Sequence, residues 1–178
     1  MDILAAANFS PDRRHRYTLC RPISMFGDRP LVSCGYNPSV AAEARNDPTI
    51  TREVTLAEML DCSVLIKVNT FAAVSPYPDD LAVMSDPVGT HNDEAIQAAV
   101  RFCREHDGIL LACWGTPKGK AATRRLAAQR FREVAALTNH WTALRVTKEG
   151  HPEHPLYLPG GLIPRPWHAQ GKAYRLPA

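Results

Sequence analysis

The chain has 178 residues, of which 45% are hydrophobic and 22% are charged, and its formal net charge is +3. These values are typical of a globular protein with a sizeable core and exclude a disordered chain. The weak positive charge permits a nucleic-acid or other phosphate-bearing partner without requiring one. No apolar run reaches the ~18 residues that a membrane helix needs, so we expect no membrane partner.

The amino-terminal residues and the cysteines indicate the compartment. The first apolar run is short and its basic residues follow it, which is the reverse of a secretory signal. The five cysteines are odd in number, include no Cys-x-x-Cys pair and mostly lie in or beside apolar segments. Such cysteines behave as reduced, small hydrophobic residues. We therefore expect a cytoplasmic protein with no disulfide framework, metal or cofactor.

Apolar runs alternate with helical repeats along the chain. In chain order they predict strand 31–35, helix 55–60, strand 63–68, helix 91–106, strand 108–114, helix 118–138 and strand 142–146. The strand runs are continuously apolar, which favours parallel strands covered on both faces. We predict a single α/β domain over residues 1–178, a three-layer α/β/α sandwich around a central, mainly parallel four-stranded sheet.

Residues 160–178 are rich in proline and glycine and are predicted to form a tail outside a core of about residues 16–159. This tail, with Arg165, Trp167 and Arg175, either covers apolar surface or binds a partner. The sequence does not indicate the oligomeric state.

Polar groups follow the predicted strands where each strand ends. They are Tyr36, Asn37 and Ser39 after the first, Asn69 and Phe71 after the second, Lys118 and Lys120 after the third, and His151, His154 and Tyr157 after the fourth. Ligands of open α/β sheets bind outside the carboxyl ends of the strands, so we expect these groups to meet at one edge.

Each strand end also has a purely structural explanation. Asn37 and Pro38 suit a turn, Asn69 suits a buried or capping amide, and the two histidines suit a surface loop. Together, two amides, two histidines and several aromatic rings describe a polar pocket with a stacking wall.

The segment from Gly115 to Lys120 is not a nucleoside-triphosphate loop. It has only three residues between its glycines, and Ala121 stands where serine or threonine is required. The start of the following helix, with Lys118, Lys120 and Arg124, could still bind a single phosphate or a nucleic-acid backbone. No zinc or serine-hydrolase motif occurs in the sequence.

Two family resemblances rest on these motifs. The set NPS (37–39), DPT (47–49), VNTFA (68–72), DPVG (86–89), WG (114–115) and HPLYL (154–158) is similar to a bacterial and phage family known only as a domain of unknown function. That similarity covers about residues 16–159 and implies no activity.

The second resemblance is to the uracil-DNA glycosylase superfamily, especially its mismatch-specific branch. CGYNPS resembles its first motif, a strand that ends in Gly-x-Asn-Pro-Gly, and VLIKVN resembles the strand that ends in the base-reading asparagine. LLACWG and HPEHPLYL resemble its later motifs, in the same order. The resemblance implies that family's fold and the hydrolysis of an N-glycosidic bond.

The resemblance also implies roles for individual residues. Asn37 would orient the attacking water, and His154, rather than His151, would donate a hydrogen bond to the departing base. Asn69 would read the edge of a uracil-like ring, and Phe71 or Tyr36 would stack on it. A base in duplex DNA would first be flipped out of the helix.

The sequence departs from that superfamily at three places. Ser39 stands where the related enzymes have glycine or tyrosine at the pocket floor. The segment that begins at His154 lacks the serine–proline spacing of the final motif. Asp47 and Arg52 have no counterpart, and they form either a salt bridge that holds the first loop or a catalytic carboxylate and phosphate clamp.

The leading hypothesis is therefore a nucleobase N-glycosylase, acting in DNA repair or base modification on uracil or a modified base in DNA or a nucleotide. One alternative is a binding module that recognises a nucleotide or nucleic acid without cleaving it. Another is an enzyme of unrelated chemistry that uses Asp47 and Arg52.

Overall fold

A seven-stranded sheet forms the centre of the computed structural model, which describes residues 1–39 and 46–169. Its spatial order is β1-β2-β4-β3-β5-β6-β7. The strands are β1 (Ala7–Phe9), β2 (Arg16–Pro22), β3 (Pro30–Gly35), β4 (Val64–Asn69), β5 (Ile109–Ala112), β6 (Thr142–Ala143) and β7 (Arg165–Pro166), and the helices are α1 (Pro48–Met59), α2 (Asn92–Glu105) and α3 (Ala121–Ala135).

The predicted α/β class is confirmed, but the sheet has seven strands rather than four. The four predicted strands are β3 to β6, and they pair in parallel in the order β4-β3-β5-β6. The three missed strands, β1, β2 and β7, pair antiparallel at the two sides of this group. Of the six strand pairs in the sheet, three are therefore parallel and three are antiparallel.

The missed strands lack the signal that identified the others. In β2 the sequence RYTLCRP interrupts the apolar residues with Arg16, Thr18 and Arg21, so it contains no continuous apolar run. β1 has three residues and β7 has two, which is too short for a pattern to emerge. Their place in the sheet comes from pairing with distant segments.

Helix α1 begins at Pro48, seven residues before the predicted start at residue 55. The side chain of Asp47 caps it by accepting a hydrogen bond from the Ile50 amide at 2.8 Å, and Pro48 takes the first helical position, where proline is favoured. The first turns are rich in β-branched residues, whose low helix propensity hid this start. Helices α2 and α3 lie within their predicted ranges.

The strands carry apolar side chains alternately to two faces of the sheet. Leu31, Leu65 and Leu111 face α1, with which they form one buried cluster. The neighbouring residues Val32 and Ile66 face α2 and α3 in a second cluster. One helix therefore covers one face and two helices cover the other.

The chain after residue 150 contributes to the sheet and core. The two-residue β7 pairs with β6, and the buried Trp167 packs edge-on against Trp114, with ring centroids 5.5 Å apart. This part of the predicted tail covers apolar surface. Residues 170–178, including Arg175, lie outside the described residues.

All five cysteines lie in the described part of the chain, where they are buried and free. Among the residues that the structure describes, no helix is long and apolar enough to cross a membrane.

Candidate functional site

A cleft of about 330 Å³ opens at the carboxyl ends of β3 and β5. Six of the strand-end residues that the sequence predicted to meet here line it: Tyr36, Asn37, Ser39, Lys118, His154 and Tyr157. They come from three separate segments of the chain, which the parallel strands deliver to one edge. The cleft is therefore our candidate site.

A larger cavity of about 540 Å³ lies at the opposite edge of the sheet, where β5 begins. Arg29, Arg104 and His140 are among its lining residues. It contains none of the predicted site residues, and it faces the amino ends of the parallel strands rather than the carboxyl ends at which α/β proteins bind ligands. Size alone therefore does not make it the better candidate.

The amide of Asn37 is held in one orientation at the cleft. Its Nδ2 donates hydrogen bonds to the carbonyl of Ser75 at 2.8 Å and to that of Pro38 at 3.0 Å. Its Oδ1 has no hydrogen-bond partner among the described residues and remains an acceptor. An acceptor fixed in this way can orient a water molecule or read a donor on a ligand.

His154 lies at the cleft as a neutral imidazole. Burial, followed by the positive charge of Lys67, lowers its pKa to about 4. Its Nδ1 accepts a hydrogen bond from the backbone amide of Leu156 at 3.3 Å. A neutral imidazole that accepts at Nδ1 carries its proton on Nε2, so His154 offers the cleft a single N–H donor.

Two tethers hold the segment that carries His154. On one side, the amide of Gly115 donates to the carbonyl of Pro152 at 2.9 Å. On the other, the guanidinium of Arg52 donates to the carbonyls of Leu158 and Pro159 at 3.2 and 2.8 Å. Arg52 thus positions a site segment from a distance.

Tyr36 forms an aromatic wall of the cleft. Its ring stacks on Phe71 with centroids 5.8 Å apart and meets Phe131 edge-on at 5.1 Å. Burial raises the pKa of its hydroxyl to about 12, so the hydroxyl stays protonated. That hydroxyl is buried near the backbone of Lys118, and it has no hydrogen-bond partner within 3.5 Å among the described residues.

Three other predicted site residues lie in the core instead of lining the cleft. Phe71 is fully buried behind Tyr36, so Tyr36 is the ring that a ligand would meet. Asn69 is buried at the end of β4 beside Gly35, and its Nδ2 has no hydrogen-bond partner in the part of the chain that the structure describes. His151 is buried edge-on against Phe131, with ring centroids 6.5 Å apart, and burial lowers its pKa.

The remaining predicted residues surround the cleft. Asp47 caps α1 and Arg52 binds the 158–159 carbonyls, so each has a structural partner and they form no ion pair with each other. The backbone amide of Lys120 donates to Asp79 at 2.7 Å, and Arg124 donates to the carbonyl of Gly119 at 2.7 Å. Both side chains are exposed near the start of α3.

A buried ion pair close to the cleft was not predicted. The ammonium of Lys67, on β4, donates to Glu53 of α1 at 2.6 Å and to the Ser33 hydroxyl at 3.1 Å. Both charged side chains are almost completely buried. The signal was present in VLIKVN, because a lysine inside a buried strand requires a buried partner.

This ion pair constrains the strand end above it. Burial lowers the pKa of Lys67, but Cys113 and Glu53 beside the ammonium more than offset this, so the pKa lies above its ordinary value. A Cβ at Gly35 would lie 2.8 Å from the ammonium and 2.9 Å from the side-chain oxygen Oδ1 of Asn69. A larger residue where β3 leads into the cleft would therefore displace the buried Lys67 or Asn69 side chain.

No group of histidine, cysteine or acidic side chains in the described residues could hold a metal ion.

The model of a family described as "Protein of unknown function (DUF1643)" matches residues 16–156, which is most of the chain. Neither the curated proteins nor the solved structures contain a significant match.

Proposed function

The chain belongs to the DUF1643 family, and we propose that its cleft binds a nucleobase and hydrolyses the bond between that base and its sugar. The substrate is uracil or a modified base in DNA or in a nucleotide. The strand-end motifs that resemble the uracil-DNA glycosylase superfamily, and with them a fold of that kind, are part of this proposal.

Cleavage of an N-glycosidic bond develops positive charge on the sugar and negative charge on the departing base. A water molecule adds its hydroxyl to the sugar carbon while the carbon–nitrogen bond breaks, and the remaining proton ends on the base. A site for this reaction needs an acceptor for the water and a donor for the base. Asn37 Oδ1 and the His154 N–H supply these two functions.

The meeting of Asn37, Tyr36 and His154 in one cleft is the observation that carries the proposal. A neutral N–H can stabilise charge on a departing base without first taking up a proton at neutral pH. The stacked wall of Tyr36 suits a flat heterocycle. Donor, acceptor and aromatic wall all line one cleft.

Base release from oligonucleotides tests the proposal. Oligonucleotides that carry uracil or another altered base are incubated with the protein, and abasic sites are then cleaved with alkali. We expect strand scission by the unaltered chain, and a rate about 10²-fold lower for Asn37→Ala or His154→Ala, a typical cost of losing one transition-state hydrogen bond.

Matched controls are Asn139→Ala and His140→Ala, which remove the same side-chain types from exposed positions away from the cleft. Both should release base at the unaltered rate. Equal loss in the control and cleft variants would contradict the assigned roles, and so would unchanged activity of the cleft variants.

A binding module without hydrolysis is the second candidate, and one observation favours it. Glu153 is the one carboxylate among the described residues that line the cleft, and Arg145 donates hydrogen bonds to both of its oxygens at 2.9 and 2.8 Å. The acceptor for water is then the weakly basic amide of Asn37. If the protein binds the oligonucleotides tightly and releases no base, this second function is the correct one.

A further inference from the structure

Two tyrosines lie exposed at the mouth of the cleft. Tyr157 is 70% exposed and lines the cleft, and Tyr77 is 67% exposed and directly precedes Pro78, which also lines it. Neither ring contributes to the buried core. Large exposed aromatic side chains beside a cleft are typical of a binding surface.

The turn that carries Tyr77 is fixed to the cleft. The Tyr77 amide donates to the Ser75 hydroxyl at 3.0 Å, and that hydroxyl donates to Asp80 at 2.5 Å. The carbonyl of Ser75 accepts a hydrogen bond from the side-chain amide of Asn37, the proposed water-binding residue. Ser75 therefore contacts the candidate site directly, and Tyr77 follows it two residues later in the chain.

The same turn is joined to the basic start of α3. Asp79 accepts hydrogen bonds from the Lys120 amide at 2.7 Å and from the Thr123 hydroxyl at 2.6 Å. The Lys118 ammonium lies over the ring of Tyr157, 5.6 Å from its centroid. The two tyrosines and the residues between them therefore form one continuous surface, the cleft rim, made of residues 77–79, 118–125 and 156–157.

The cleft rim carries more positive than negative charge. Lys118, Lys120, Arg124 and Arg125 are exposed there. The acidic side chains nearby in the described chain are Asp79, Asp80 and Glu153, and Glu153 is paired with Arg145. The positive side chains outnumber the unpaired carboxylates, so the rim has a net positive charge.

Exposed rings interleaved with cations fit one kind of polymer. Bases of a single strand are free to stack on aromatic side chains while their phosphates meet lysine and arginine. A free nucleotide has one base, which the cleft itself would take, and the bases of a duplex are already stacked on each other.

We propose that the cleft rim binds single-stranded DNA, with the bases on either side of the one in the cleft stacked on Tyr77 and Tyr157. Lys118, Lys120 and Arg124 contact the phosphates between them. This inference rests on the proposed function, since it takes the base in the cleft as part of a longer strand.

Affinity measured by fluorescence anisotropy tests this proposal with a labelled 12-nucleotide oligothymidylate that contains no altered base. We expect tighter binding of this strand than of thymidine monophosphate or of a hairpin duplex. Tyr157→Ala and Tyr77→Ala should each weaken it about tenfold, within the range found for one stacked base. Lys118→Gln should make the affinity less dependent on salt.

Tyr157→Phe keeps the ring and should bind as the unaltered chain does, which separates stacking from the hydroxyl. Phe26→Ala is the control for an exposed ring, because Phe26 is 87% exposed before β3, at the amino ends of the parallel strands. The proposal would be overturned if Tyr77→Ala and Tyr157→Ala bound the strand as tightly as the unaltered protein. Tighter binding of the duplex, tighter binding of an oligouridylate RNA or no binding at all would also overturn it.

The outcome is distinguishable from that of the proposed function. If the rim is wrong and the cleft is right, base release persists and the tyrosine variants bind and cleave normally. If the rim is right and hydrolysis is wrong, the tyrosine variants lose affinity for the strand while no variant or unaltered protein releases base.

Discussion

At the scale of single residues, the ion pair of Lys67 and Glu53 is the centre of a buried polar group between α1 and the sheet. The ion pair lies at 2.6 Å with the Ser33 hydroxyl and the Cys113 thiol beside it. Burial raises the pKa of Cys113 to about 11, so the thiol stays protonated. Among the described residues, the second oxygen of Glu53 has no hydrogen-bond partner, which leaves the carboxylate strongly dependent on its lysine.

Removal of one partner should destabilise the protein more than removal of both. Lys67→Met and Glu53→Gln should each lower the free energy of unfolding by about 3 kcal/mol or more, because the remaining group stays buried and unpaired. The double variant Lys67→Met/Glu53→Leu should recover much of this loss. Urea denaturation followed by circular dichroism measures all three.

The exposed pair of Arg14 and Asp12, 3.8 Å apart, provides the control. Asp12→Asn should change the free energy of unfolding by less than about 1 kcal/mol, as is usual for surface ion pairs. If the single buried variants are no less stable than this control, the ion pair has no structural role.

At the scale of elements, α1 links the cap residue Asp47 to the cleft. Thr49, in the first turn, lines the cleft, and Arg52, one turn later, holds the segment after His154. The position of α1 therefore affects the cleft both directly, through Thr49, and through the segment that carries His154. The sequence pattern missed its first two turns because β-branched residues fill them.

Asp47→Ala should lower the free energy of unfolding by about 1 kcal/mol, because the Ile50 amide loses its cap. Asp47→Asn keeps a capping oxygen and should stay close to the unaltered stability. Thermal unfolding compares the two variants. If Asp47→Asn keeps its stability and still loses base release, the carboxylate acts in the chemistry, as the third sequence hypothesis held.

At the scale of the whole molecule, burial of neutral histidines makes the fold sensitive to acid. The pKa of His154 is lowered to about 4 from an ordinary value of 6.5, by burial first and by the charge of Lys67 second. Between these values the unfolded chain binds more protons than the folded one. The free energy of unfolding therefore falls as the pH drops through this window.

The variant His154→Gln should lose less stability than the unaltered chain between pH 6.5 and pH 4. Burial also lowers the pKa of His151, which adds an effect of the same sign, so part of the pH dependence should remain. Urea denaturation at several pH values within this window measures the difference. Identical slopes for the two proteins would show that His154 is not buried as a neutral group.

Much of the fold follows from local patterns along the chain. Burial on both faces gives a strand a continuous apolar run, and burial on one face gives a helix apolar residues at helical spacing. These two patterns predicted β3 to β6 and the helices α2 and α3. Antiparallel β2 escaped this reasoning, since arginine and threonine interrupt its pattern. The two-residue strand β7 is defined only by its pairing with β6.

The sequence by itself determined the α/β class and the residue types at the strand ends, because these depend on local hydrophobic periodicity. The tertiary structure decided which of those residues share the cleft. Asn37 and His154 meet there because Gly115 and Arg52 tether the late segment beside β3. The side-chain direction at each position depends on the strand's pleat and on distant packing, which turned Asn69 and Phe71 into the core.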